Sequence, residues 1–532
     1  MAVADAQHPA ALHRQPLMPD LLIAALERNL DQPTVYLGET VLTGRQVSEE
    51  ISRYQQALES VGLGRGSPVA VLALNRPEVL FNMGAGMLLG CRTTPLHPMG
   101  SLDDHAYVLE DAGIETLVFD PEFFGERAAA LAERVPGLKN LLAFGPPPEA
   151  GGALDYIARA ATFSPRPLRA PEVAPEDIPG LAYTGGTTGK PKGVMGSYRS
   201  GAAMTQIQMT EWEWPERPRF LMCTPLSHAG AAFFVPVLLL GGSLVVVPYF
   251  EPGLVLRTIE EQRITATMLV PTMLYMLMDH PDFATRDLSS LETVYYGAAA
   301  MSPTRLREAI TKLGPIFFQY YGQAEGPMTL CVLRKGEHDV DDLDRLATCG
   351  RPVPWVHVAL LDDDLRPVAQ GEPGEICVRG PLVMQGYWNK PEQSAETLAG
   401  GWLHTGDIAR QDAQGFYTIV DRKKDMIVTG GFNVFPREIE DVISAHPAVA
   451  NVAVIGVPDD RWGEAVKAVV VLRPGETVEP EALIDRVKEA KGSVQAPKSV
   501  DFVDEIPLSP LGKPDKKTLR ATYWQGTDRQ VN

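Results

Sequence analysis

Residues 181–194 read LAYTGGTTGKPKGV. An apolar lead-in of strand character, Leu181-Ala182-Tyr183, runs into Thr184-Gly185-Gly186-Thr187-Thr188-Gly189-Lys190 and then Lys192-Gly193. Glycines free the backbone for positive φ and let its N–H groups crowd around an anion. Three hydroxyls and two ammonium groups add donors and charge, a combination that suits a polyphosphate. The loop is not a Walker A loop, because Thr184 replaces the first glycine and Pro191 follows Lys190.

Outward from this loop, through about residue 420, short β-rich runs alternate with amphipathic helical stretches. SPVAVLAL (67–74) precedes PEVLFNMGAGMLLG (77–90), and ETLVFD (115–120) precedes a helix near 123–134. LVVVP (244–248), TATMLVP (265–271) and LETVYYG (291–297) are each followed by a helix. Apolar strands without period-2 alternation, interleaved with helices, indicate parallel sheets covered on both faces. Around 346–420 the texture shifts to short strands with Gly/Pro turns, such as GEICVRG and GFYTIVD. After DRKKD (421–425) come a helix in 436–447, strands in 451–459 and 464–472, and a helix in 479–490. The expected fold is therefore α/β. A large N-terminal domain of layered parallel sheets carries a small β-barrel-like subdomain, and a smaller, mobile α+β C-terminal domain follows. The boundaries are read as 1–421, a hinge at 422–425, and 426–532. The Pro-rich stretch 145–178 reads as a surface linker.

The 532 residues carry 48 Lys+Arg against 67 Asp+Glu, a net charge of −19. That balance argues against a nucleic-acid or anionic-membrane coat but leaves room for a small anion held by a few local cations. Five scattered cysteines without CxxC spacing read as reduced cytosolic thiols. The uncharged run Ala229–Phe250 is broken by Pro236 and Gly241-Gly242-Ser243, so it reads as a buried helix near 230–240, a turn and a strand, not as a membrane span.

Six further segments accompany the loop in order: PLSHAG (225–230), YYGAAAMS (295–302), FQYYGQAEG (318–326), GGWLHTGD (400–407), DRKKDMIVTGGFNVFPREIE (421–440) and PLSPLGKPDKK (507–517). Together they resemble the adenylate-forming enzymes, the superfamily of acyl-CoA synthetases, peptide-synthetase adenylation domains and beetle luciferases. The resemblance implies that ATP and Mg²⁺ activate a carboxylic acid as its adenylate, and that CoA then takes the acyl group.

The same resemblance distributes roles. Thr184 to Gly189, Lys190 and Lys192 hold the phosphates, with Gly185, Gly186, Thr187 and Thr188 in the loop. Gly297, Ala298 and Ala299 lie on the adenine side with Tyr320, Tyr321, Gly322, Gln323 and Ala324, and Tyr321 stacks on the base. Glu325, with Thr184, holds Mg²⁺, a hard cation suited to oxygen ligands. Asp407 accepts the ribose hydroxyls, Arg422 assists, and Lys513 reaches the acyl carboxylate and α-phosphate. Lys424 marks the hinge, and rotation brings Gly430-Gly431-Phe432 to the site for a pantetheine arm. His228 gates the acyl pocket with Ala229, Gly230, Ala232 and Phe233, whose mostly small side chains leave volume for an apolar acid. No charged residue there would pair with an amino-acid ammonium, so the expected substrate is a fatty or other hydrophobic acid.

Two features depart from the pattern. Ala324 stands where a threonine is usual, which resembles acyl-AMP ligases that serve carrier proteins, whereas the double glycine of TGGFN favours CoA. Ser509 and Lys516 replace the usual Thr and Arg around Lys513. The remaining alternatives are a luciferase-type oxygenase and a nucleotide-binding regulator without catalysis. Expected partners are the acid, ATP and CoA, with no nucleic acid, no integral membrane segment and room for a homodimer. The expected compartment is the cytoplasm.

Overall fold

The computed structural model describes residues 14–38, 40–147, 152–184, 190–429, 432–459, 461–507 and 514–524. Two large sheets form the N-terminal part. The first runs, edge to edge, Leu154–Asp155, Asn140–Ala143, Thr116–Phe119, Pro68–Leu72, Arg92–Pro95, Gly180–Thr184 and Lys192–Gly196. Its strands are parallel until the last pair, an antiparallel hairpin that sets Thr184 opposite Lys192. The two ends of the glycine-threonine loop are thus fixed by a ladder.

The second sheet has nine strands with a parallel centre: Phe317–Gln323, Thr293–Gly297, Ala266–Leu269, Arg219–Met222, Ser243–Val246 and Pro33–Leu37. Antiparallel neighbours close it, Gly326–Leu333 then Arg351–Pro352 on one side and Thr40–Thr43 on the other. Central strands such as Thr293–Gly297 are buried along their whole length, the pattern of a sheet covered on both faces. The α/β reading of the sequence stands.

A third, four-stranded antiparallel sheet runs His357–Leu361, Gly374–Arg379, Leu403–Gln411 and Tyr417–Arg422. Its order is linear, so the barrel-like expectation resolves into an open sheet. The next strand, Ile427–Thr429, belongs to a separate five-stranded sheet with Phe432–Val434, Val449–Asp459, Gly463–Leu472 and Ser499–Phe502. That sheet has its own apolar core around Ile427, Ile439, Val454 and Val466.

Two sequence expectations need correction. The stretch 145–178 contains the edge strand Leu154–Asp155 and a helix, Tyr156–Ala161, because Tyr156 is driven into the core between Tyr54 and Phe144. The helix expected at 230–240 is a 3₁₀ turn, Ala229–Phe233, followed by a short α-helix, Phe234–Leu239. Its Gly230 lies so close to the Thr224 carbonyl oxygen that a Cβ would sit 2.8 Å from it. Among the described residues no helix is long and apolar enough to cross a membrane, and all five cysteines are buried thiols.

Candidate active site

Asp407 is the centre of one cluster. It lies inside the strand Leu403–Gln411 and is 4% exposed. Register places it directly across from Arg422, whose Nε reaches Oδ1 at 2.6 Å. Tyr321 Oη donates to Oδ2 at 2.6 Å. Burial alone would lower the Arg422 pKa, but the Asp407 carboxylate, then Tyr321 and Glu325, hold it above the ordinary arginine value. Each carboxylate oxygen keeps a second lone pair, so a pair of vicinal hydroxyls can still be accepted.

Behind Asp407 stands an anchor that the sequence reading missed. Glu375 is 7% exposed; its Oε1 accepts the Gly406 N–H at 2.9 Å, and its Oε2 takes Lys423 Nζ at 3.3 Å. His404 Nδ1 lies 3.1 Å from the same Oε2 and 3.5 Å from Cys377 Sγ. These three side chains are close enough to consider as metal ligands, but the Lys423 ammonium already balances the carboxylate. The arrangement ties the residues beside Asp407 and Arg422 to one buried group.

Glu325 begins the second cluster. It occupies the two-residue turn between Phe317–Gln323 and Gly326–Leu333, and Gln323 pairs with Gly326 across it. Gly322 just before the turn is required: a Cβ there would stand 2.5 Å from the Met328 nitrogen and 2.7 Å from the Gly326 oxygen. Tyr387 Oη donates to Glu325 Oε1 at 2.8 Å, and Lys192 Nζ sits 4.2 Å from the Tyr387 ring centroid. Tyr387 therefore joins the expected metal carboxylate to the expected phosphate lysine. It reaches them because residues 385–388 run along the strand that follows the glycine-threonine loop, with Trp388 N–H donating to the Gly193 carbonyl at 2.7 Å. Tyr387→Phe is expected to raise the Mg²⁺ concentration for half-maximal activity by on the order of 10-fold, measured by magnesium titration at saturating ATP. An unchanged titration would remove Tyr387 from this role.

Lys190 Nζ lies 4.8 Å from the Tyr107 ring. Gly297 and Ala298 close the strand Thr293–Gly297, and Ala298 has φ +63°, a left-handed conformation that an L-residue holds at a cost. A Cβ on Gly297 would stand 2.4 Å from the Tyr320 backbone carbonyl oxygen, which explains glycine there. Gly185, Gly186, Thr187, Thr188, Gly189, Gly430, Gly431 and Lys513 lie outside the described residues. Phe432 is 59% exposed. The segment after Lys513 is fastened by Lys516 to Glu440, in the helix Pro436–Ser444, at 2.7 Å and by Arg520 to Asp425, in the connector before Ile427, at 2.9 Å. Lys424 is accessible yet flanked by protein, and that burial, then the Arg422 guanidinium, lowers its pKa.

His228 immediately precedes the 3₁₀ turn Ala229–Phe233, and its side chain makes no capping bond to it. Its Nδ1 is 2.9 Å from Ser227 Oγ, and His97 meets its ring edge-on at 4.7 Å, a neighbour the sequence did not reveal. The ring is accessible but walled by protein, as a cleft side chain is; burial, then His97, pushes its pKa down to about 4. Its NMR titration midpoint is expected near 4, which leaves it neutral at pH 7. A midpoint at the ordinary histidine value of about 6.5 would contradict the walled setting.

Two assignments change. Tyr320, expected beside the nucleotide, turns to the opposite face from Tyr321, as successive strand residues do, and stacks on Trp212 at 5.1 Å. Phe233, expected to line the acyl pocket, is fully buried and stacked on Phe220 at 4.5 Å. Both belong to an aromatic layer behind His228. Ala229 and Ala232 are half-buried at its margin.

Comparison with known proteins gives the family. Residues 23–388 match the model of the AMP-binding enzyme family, and residues 438–513 match that of the AMP-binding enzyme C-terminal domain. The chain is 59% identical over 521 residues to the medium/long-chain-fatty-acid–CoA ligase FadD8 of Mycobacterium tuberculosis, covering 96% of this chain and 91% of that one. It is 35% identical over 492 residues to a feruloyl-CoA synthase of an Amycolatopsis species, covering 91% and 95%. Among solved structures, the amide bond synthetase McbA of Marinactinospora thermotolerans superposes with a TM-score of 0.86 at 34% identity, covering 94% of this chain and 99% of that one. With its family segments in order and these matches along nearly its whole length, the chain belongs to the AMP-binding, adenylate-forming enzyme family.

Proposed function

We propose that this protein is an AMP-forming acid–thiol ligase that activates a hydrophobic carboxylic acid with ATP and passes the acyl group to CoA. The observation that carries the reading is the chain Lys192–Tyr387–Glu325, which links a cation at the phosphate loop to a carboxylate beside the Tyr321–Asp407–Arg422 cluster. Those groups suit a nucleotide triphosphate: carboxylate for vicinal hydroxyls, ammonium and hydroxyls for phosphates.

Glu325 fits a magnesium ion, since Tyr387 occupies only Oε1 and leaves Oε2 for a hard cation. When bound, Mg²⁺ neutralises phosphate charge. Lys192 and the loop threonines bind the departing β,γ-phosphates. Lys513 holds the acid carboxylate against the α-phosphorus, where an acyl C–O–P bond forms as the bond to pyrophosphate breaks. His228, being neutral, admits the acyl chain without drawing a second anion.

In the second step the CoA thiolate attacks the acyl carbonyl and AMP leaves with the bonding pair. Residues 422–425 are the pivot in this reading: the four-stranded sheet ends at Arg422 and the C-terminal sheet begins at Ile427. Rotation there withdraws Lys513 and presents Gly430-Gly431-Phe432 to the pantetheine arm. Buried, unbridged thiols suit a reducing compartment such as the cytoplasm.

A second reading, transfer to a carrier-protein phosphopantetheine, is favoured by Ala324, which offers the phosphates no hydroxyl. AMP release with the acid, ATP and Mg²⁺, measured with and without CoA, separates the two. Strong stimulation by free CoA is expected; indifference to CoA would select the carrier.

A further inference from the structure

The aromatic layer behind His228 contains polar atoms that the chain leaves unsatisfied. Trp212, just past the helix Tyr198–Glu211, packs on Phe233 at 5.6 Å, which ties the layer to the turn beginning at His228. Trp212 and Tyr320 stack, and Gln208 lies one helical turn before Trp212. Two other polar heads in the layer find backbone acceptors. Trp214 Nε1 donates to the Gln208 carbonyl at 2.8 Å, and Tyr295 Oη to the Glu213 carbonyl at 3.3 Å. Trp212 Nε1, Tyr320 Oη and both amide atoms of Gln208 have no hydrogen-bond partner among the described residues. The three residues are 5%, 3% and 0% exposed, in the order Trp212, Tyr320, Gln208.

Buried polar groups are nearly always paired, because each loses its hydrogen bonds to water on burial. A wall built only for hydrocarbon would use phenylalanine and leucine at these places and avoid that loss. Four unpaired atoms on three neighbouring residues therefore call for a partner from outside the chain, a water that a ligand oxygen can replace or that oxygen itself. The set is rich in donors: an indole N–H, a phenol O–H and an amide NH₂, with the amide oxygen as acceptor. No charged side chain hydrogen-bonds to any of them.

We propose that Gln208, Trp212 and Tyr320 form the distal wall of the acyl pocket and recognise a neutral oxygen, keto or hydroxyl, on the hydrocarbon body of the acid. The proposal rests on the acid-activating function above and narrows its substrate class. A carbonyl oxygen offers two lone pairs to these donors, and a hydroxyl also donates to the amide oxygen. The polar atoms are closed off from solvent, so an acid reaches them by displacing the side chains around His228.

The test uses the full chain with ATP, Mg²⁺ and CoA and follows thioester formation. The acids are saturated straight chains and the same chains bearing a keto or hydroxyl group at successive carbons. One oxygenated acid is expected to exceed its saturated counterpart in kcat/KM by at least on the order of 100-fold, since a site built to hydrogen-bond a substrate oxygen discriminates strongly against its absence. Gln208→Met, similar in length but without the amide, and Tyr320→Phe are each expected to cut that ratio by about 10-fold or more. A preference for the saturated acid at every length would overturn the proposal alone. So would a ratio unmoved in both variants. Failure of every acid to support ATP–pyrophosphate exchange would instead overturn the activation reading, and this proposal with it.

Discussion

Lys513→Ala is expected to lower acid-dependent ATP–pyrophosphate exchange by on the order of 10²- to 10³-fold, while thioester formation from preformed acyl-adenylate and CoA persists. The expectation follows from charge. In the first step a carboxylate approaches a phosphorus already surrounded by anionic oxygens, and a compact ammonium can neutralise both. In the second step the anhydride is already formed and the attack is at carbon, where the proposed role leaves Lys513 no part. The anchors at Lys516–Glu440 and Arg520–Asp425 hold the following segment whether or not Lys513 is present, so the variant should fold. Lys513→Arg should not restore the rate, because a planar guanidinium does not replace a point charge. Equal loss in both half-reactions would place Lys513 outside the phosphoryl step.

Asp407→Ala is expected to raise the KM for ATP by roughly 10- to 100-fold with the KM for the acid little changed. Removing the carboxylate deletes the proposed acceptor for the ribose hydroxyls. It also leaves Tyr321 Oη without its 2.6 Å bond and Arg422 without its 2.6 Å partner. The cost falls short of that of a fully buried pair, because 43% of the Arg422 side chain remains in water. Initial rates over an ATP series, with a thermal melt to confirm folding, decide the point. An unaltered KM for ATP in a folded variant would remove Asp407 from the nucleotide site.

The alternation of strands and helices was legible because central parallel strands such as Thr293–Gly297 are apolar along both faces, a local property of the sequence. The Asp407–Arg422 pairing was approachable because each residue sits in a recognisable segment, although their facing positions come only from the strand register. Tyr387, Glu375 and His97 were out of reach for another reason. Tyr387 meets Glu325 across 62 residues of chain, and Glu375 meets Gly406 across 31, contacts that only the folded sheets create. Tyr320 was misplaced because neighbours in a strand point to opposite faces and a family segment does not say which, and Phe233 because it ends a 3₁₀ turn and packs inward on Phe220. The short helix Tyr156–Ala161 was hidden by its Pro-rich flanks, and the burial of Tyr156 overrides that local texture.

The central claim is that this chain joins a carboxylic acid to a thiol through an acyl-adenylate. Isotope exchange between labelled pyrophosphate and ATP, run with purified protein, Mg²⁺ and a panel of aliphatic, aromatic and amino acids, tests it most directly. Exchange that depends on a hydrophobic carboxylic acid and proceeds without CoA is the predicted result. ATP binding without exchange for any acid, or exchange confined to amino acids, would contradict it.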